Sequence, residues 1–136
     1  MAVFHKFNQF VEDMASKKHD LKNDQLKIAL TDSAPAATDA VLSDITEISY
    51  DHVSSRLVTT TSCEQTNGVL KLVCEDLTIT ATGGAIPQFR YVVLYNDTAA
   101  NDPVICWYDY GEEINLKDGE SLKIDFNQTE GVLTIQ

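Results

Sequence analysis

The sequence predicts a mainly β fold: a β-sandwich or jelly-roll-like domain with an N-terminal α-helix and an extended arm. Three observations lead there. Residues 89–110 hold two β-type runs joined by a polar turn. Tyr91, Val93 and Tyr95 alternate with Val92 and Leu94, and Val104-Ile105-Cys106-Trp107-Tyr108 follows the breaker-rich stretch 96–103. β-branched and aromatic residues suit a pleated, packed surface, whereas Asn, Asp and Pro interrupt one. From residue 56 onward, short apolar runs recur between Gly, Asn and Asp turn signals, the spacing of sandwiches and barrels. Leu122, Ile124 and Phe126 alternate with Lys123 and Asp125, the pattern of a strand buried on one face.

Taken in order, residues 1–19 read as a helix. Phe4, Phe7, Phe10, Val11 and Met14 fall on one stripe at three- and four-residue spacing, and Lys17, Lys18 and His19 stand where cations favour a helix C-terminus. Such a stripe either caps the chain's own β core or docks on another subunit. A short strand follows at 26–30. Residues 31–44 read as an extended arm or a long loop, whose first part has turn composition and little to bury. Residues 45–50 read as another short element. The β core, 55–136, carries predicted strands at 56–63, 69–74, 77–81, 89–95, 104–110, 113–116, 122–126 and 132–135. Turns at Asn67-Gly68, Gly83-Gly84, Asp118-Gly119 and Glu130-Gly131 separate most of them. The 136 residues make one domain.

Ten basic and 21 acidic residues give a net charge of -11. That balance repels phosphate backbones and anionic membranes, so neither direct nucleic-acid binding nor membrane attachment is expected. The acids are scattered, as for solubility, rather than clustered against a basic partner. No window approaches the ~18 apolar residues of a membrane span. The start of the chain lacks the basic and apolar regions of a signal peptide, so cytoplasmic synthesis is expected. Cys63, Cys74 and Cys106 then read as reduced core residues, with a Cys63–Cys74 bridge across a hairpin as the alternative. Asn96-Asp97-Thr98 and Asn127-Gln128-Thr129 match glycosylation sequons, which carry no meaning without secretion.

Chemistry is sparse along the chain. His5, His19 and His52 are scattered and no Cys-x-x-Cys pair exists, so no metal or other cofactor is expected. Asn96, Asp97, Asn101 and Asp102 crowd one loop with oxygen ligands, but the same residues are ordinary turn formers. Gly83-Gly84 lacks the Lys-Ser/Thr of a phosphate loop. Glu112 and Glu113, adjacent on a strand, point to opposite faces and make no glycosidase pair. With no nucleophile and base in a motif, no enzymatic activity is expected. Trp107, Tyr108 and Tyr110 remain: if Trp107 faces inward, Tyr108 and Tyr110 are an exposed pair, placed for subunit packing or sugar stacking.

Six segments in order carry a resemblance: FNQFVE at 7–12, LKIALTDSAP at 26–35, DITEI at 44–48, TGG at 82–84, FRYVVLYNDT at 89–98 and WYDYG at 107–111. Together they resemble a family of small structural proteins of tailed bacteriophages, over nearly the whole chain. The resemblance implies a virion protein, made in the host cytoplasm, that decorates and cements the exterior of the assembled capsid. Its partners would be the major capsid protein and further copies of itself, as a homotrimer. The alternative it implies is a tail, neck or head-fibre component with a host-glycan-contacting face. Candidate capsid or subunit contacts are Phe4, Phe7 and Phe10 on the helix, Pro35, Thr38, Val41 and Leu42 on the arm, and Tyr108 and Tyr110 on the sheet. The chain departs from the family at 49–53, which is short and glycine-free where the family carries a longer, glycine-rich stretch.

Overall fold

A computed structural model describes residues 2–136. The chain is mainly β, in three antiparallel sheets. Its strands are β1 (Val3–Lys6), β2 (Leu26–Thr31), β3 (Leu57–Val58), β4 (Thr60–Thr66), β5 (Val69–Cys74), β6 (Leu77–Thr80), β7 (Ile86–Asn96), β8 (Val104–Leu116), β9 (Ser121–Ile124) and β10 (Leu133–Ile135), with one helix, α1 (Gln9–Ala15). The largest sheet runs β1-β8-β7-β2-β3; β10-β5-β4 and β6-β9 form the others.

One face of the large sheet presents Leu26, Ile28, Leu30, Val92, Leu94, Cys106 and Tyr108. These pack against Leu72, Cys74, Ile79, Ile124 and Phe126 of the smaller sheets and the turn beyond β9. Each fully enclosed Leu, Ile, Val or Phe contributes about 1.5–3 kcal/mol relative to exposure. The opposite face presents Ala29, Val93, Tyr95, Val104 and Trp107, covered by Phe7, Ile45 and Leu42. The central strands are thus enclosed on both faces, which accounts for the unbroken apolar run of Val92-Val93-Leu94-Tyr95. A shift in pairing between Leu94 and Tyr95 leaves Ile105 as an extra residue on β8. Ile105 and Cys106 both join the larger core as a result.

Most predicted strands coincide with observed ones; the N-terminus does not. The helix expected over 1–19 is only the seven residues of α1, and Val3–Lys6 is a strand instead. The open edge of β8 decides this. Phe4 pairs opposite Tyr108 and His5 opposite Trp107, with the His5 ring stacked on the indole at 4.9 Å. A helix of this length has little stability of its own, so tertiary pairing overrides the three-and-four spacing. The helix ends in a Schellman turn: Lys18 N–H donates to Asp13 O (2.9 Å) and Lys17 N–H to Met14 O (3.4 Å), with Lys17 at φ 67°. Predicted strands 104–110 and 113–116 are one strand, β8, which passes through Gly111 at φ 81°. Asp109 Oδ1 accepts from Gly111 N–H at 2.8 Å and braces that bulge.

Of the two forms expected for 31–44, the segment takes that of a long, mostly exposed loop rather than a free arm. Backbone bonds tie it to the sheet: Asn8 N–H donates to Ala37 O, Leu42 N–H to Asp102 O and Val104 N–H to Ala40 O (2.9, 2.9 and 3.1 Å). Its own carboxylates fold it locally. Asp39 Oδ2 accepts from Ala36 N–H, and Asp44 Oδ2 from Ala40 and Val41 N–H, which holds the Asp44 carboxyl below its ordinary range. Among the described residues, no helix is long and apolar enough to cross a membrane.

Candidate functional site

The structure disperses the predicted contacts. Phe7 and Phe10 are 0% and 3% exposed. Phe7 packs on Trp107 with ring centroids 4.5 Å apart, and Phe10 lies 5.3 Å from His19. Both belong to the chain's own interior and are withdrawn as external contacts. Thr38 is exposed, Pro35 is half-buried, and Val41 and Leu42 are half-buried where the arm meets the sheet. The exposed Tyr108–Tyr110 pair is corrected as well, because both faces of the sheet are largely covered around Tyr108. Trp107 is 8% and Tyr108 9% exposed, and Tyr110 is half-buried.

Three of the predicted residues do meet. Tyr108 and Tyr110 project on one face of β8, and Phe4 pairs opposite Tyr108, edge to face at 5.7 Å. They line a cleft of about 450 Å3, closed from the other side by Phe126, Val132 and the polar side chains Lys123, Asp125 and Asn127. Ala2 and Gly131 also line it and keep it open by their small size. A Cβ at Gly131 would meet Leu72 O at 2.7 Å, so this approach of the chain requires glycine. Lys123 pairs with Asp76 at 3.3 Å. Asp125 Oδ1 accepts from Asn127 N–H (2.7 Å), and Asn127 Oδ1 accepts from Thr129 and Glu130 N–H. The second Asp125 oxygen, the Asn127 amide nitrogen and both tyrosine hydroxyls have no hydrogen-bond partner among the described residues. Burial, reinforced by Asp125, pushes the Tyr110 hydroxyl up to about 12, so it is a neutral donor at every physiological pH.

On the other side of Phe4 lies an apolar groove of about 790 Å3, between β1 and α1 on one bank and β10 on the other. Each bank ends in an edge strand, β1 of the largest sheet and β10 of the three-stranded one. The exposed apolar side chains Phe4 (40%) and Val11 (57%) line it, whereas Val3 (56%), next to Phe4 on the strand, points to the other face. Sequence reasoning left Val11 out of the contacts, and it missed Lys123, Asp125 and Asn127 as site residues, since their neighbours come from the opposite end of the chain.

The remaining motifs resolve into structure. Gly84 lies under the His52 ring, where a Cβ would approach at 2.8 Å, and His52 Nδ1 is 3.2 Å from Thr82 O. The loop 49–53 turns inward: Tyr50 Oη accepts from Leu30 N–H (3.0 Å), donates to Glu47 (2.6 Å) and carries Arg56 over its ring at 3.6 Å. Asn96, the first sequon, is fully buried, and its Oδ1 accepts from Thr98 and Ala99 N–H, a turn function. All three cysteines are free and buried. Cys63 pairs with Leu72 and Cys74 with Thr60, so the two are not opposite each other on the hairpin. Burial pushes the Cys74 thiol up to about 11 and Cys106 higher still, leaving both unreactive. No group of three or more His, Cys, Asp or Glu among the described residues is placed to hold a metal ion. No protein-family model, curated protein or solved structure matches the chain.

Proposed function

We propose that this chain is a non-catalytic structural protein of a tailed-bacteriophage virion, which decorates and cements the outside of the assembled capsid. In this reading the fold is a β-sandwich, the five-stranded sheet against the two smaller ones, and copies assemble as a trimer on the lattice. The partner is the major capsid protein. One observation supports it most: the exposed Phe4 and Val11 line an open apolar groove between two edge strands. Exposed edges and contiguous apolar side chains mark surfaces that another chain covers. The Phe4–Val11 pair replaces Phe7 and Phe10 as the contact, and the clamped arm contributes at most its exposed crest near Thr38.

The mechanism is linkage. A protein that binds the assembled lattice and not free subunits raises the cost of disassembly by the free energy of its binding. The charge of -11 keeps such a protein off packaged DNA and keeps decorated particles dispersed. Cryo-electron microscopy of purified virions tests the reading. Density at many equivalent capsid positions, with β1 and α1 against the shell, is expected. Density confined to the portal, neck, tail or head fibre replaces the capsid assignment. Val11→Asp is expected to fold normally and to lose capsid binding; retained binding removes this pair as the contact.

A further inference from the structure

We infer that the cleft between β8 and the 122–132 segment binds an uncharged pyranoside, the ring stacking on Tyr110 and Phe4 and the hydroxyls held by Asp125 and Asn127. The cleft shares only the Phe4 ring with the apolar groove, and the inference does not depend on a capsid location. Four features of the cleft point the same way.

Its volume of about 450 Å3 falls within the range of small-molecule sites. Its floor and walls are aromatic: Tyr108 is 9% exposed at the bottom, Phe4 is 40% exposed at the rim, and half-buried Tyr110 lies two residues along the same strand. A sugar ring has one face of C–H groups that suits an aromatic surface and a perimeter of hydroxyls that need partners. The cleft residues supply those partners unspent. The second Asp125 oxygen is a pure acceptor and the Asn127 amide nitrogen a donor, while each tyrosine hydroxyl is both. A carboxylate and an amide side by side match vicinal hydroxyls, each of which donates and accepts.

Charge narrows the ligand class. Lys123, the cationic side chain lining the cleft, is committed to Asp76 at 3.3 Å. Asp125 and the overall charge of -11 oppose sialylated or sulfated sugars. An uncharged hexopyranoside keeps the stacking and hydrogen-bonding terms and avoids that repulsion.

Saturation-transfer NMR on the full chain gives the test. The probes are the methyl glycosides of glucose, galactose, mannose and N-acetylglucosamine, with sialyllactose as an anionic probe. Saturation transfer to at least one neutral glycoside at millimolar concentration is expected. Tyr110→Ala and Asp125→Ala should each weaken it about tenfold. Leu57→Ser, on the distant β3 edge, should leave it unchanged. Asp125 is exposed and its loss spares the core, so that variant decides the matter if Tyr110→Ala unfolds. No transfer to any neutral glycoside, transfer to sialyllactose alone, or undiminished binding by folded Asp125→Ala overturns the assignment.

Discussion

His19 lies between the C-terminal end of α1 and the β7–β8 turn, 7% exposed, with every neighbour fixed. The Asn96 amide nitrogen donates to its Nδ1 (3.1 Å) and to Asp24 Oδ2 (2.7 Å), while Asn96 Oδ1 is held by two backbone N–H groups. The amide cannot turn over without breaking those bonds, so Nδ1 is an acceptor and the proton sits on Nε2. That Nε2 is buried with no partner among the described residues. Protonation would set an N–H against an N–H. Burial lowers the imidazole from its ordinary 6.5, and Lys18 adds to this, against the opposing pull of Asp13 and Asp24. A depressed histidine leaves the unfolded chain with more bound protons at mildly acidic pH. Its contribution is therefore complete above about 6.5 and is lost as pH falls through the lower folded value. The urea midpoint should drop between about pH 7 and pH 5, and His19→Gln should flatten that drop. An equal drop in the variant would assign it to other groups. The sequence placed His19 among the cations at a helix C-terminus; in the fold it is buried against Asn96, 77 residues away.

At the scale of elements, β1 shows how a periodicity misleads. Phe4, Phe7 and Phe10 have helical spacing, yet the first lies on a strand, the second plugs the far face of the large sheet, and only the third is on α1. Three apolar residues three apart fit a helix equally well as a strand, a turn and a half-formed helix, and the open edge of β8 selects the latter. β1 consequently shields the rings beneath it. Removal of residues 1–6 should expose Trp107, seen as a red shift of its fluorescence, and lower the thermal midpoint by several degrees. Unchanged emission would mean that β1 is dispensable to the sheet. β8 taught the opposite lesson: Gly111 reads as a strand break, whereas a bulge absorbs it and the strand continues.

For the whole molecule, the charge of -11 is set against few ion pairs among the described residues, and the cations of three of them, Lys18–Asp13, Lys22–Glu64 and Lys123–Asp76, are more than half exposed. Exposed pairs contribute little, so repulsion among the acids dominates the surface electrostatics. Raising salt from about 0.01 M to 1 M shortens the screening length from about 30 Å to about 3 Å and should raise the urea midpoint. A fall would show that the ion pairs outweigh the repulsion.

Strand positions were legible because alternation and turn chemistry are local. The strands expected at 69–74, 77–81 and 104–110 announce themselves through β-branched runs and the turn residues around them. The aromatic half of the cleft was legible too, since Tyr108 and Tyr110 share a face by strand parity alone. The rest belongs to the tertiary structure. Burial of both faces of β7 and β8 depends on the arm and Phe7 closing one side while the small sheets close the other. The polar half of the cleft depends on residues 123–127 arriving beside Phe4, more than a hundred positions away in the chain. A sequence states which side chains alternate; only the packed chain decides which of them meet, because burial and contact are properties of neighbours that the local pattern does not contain.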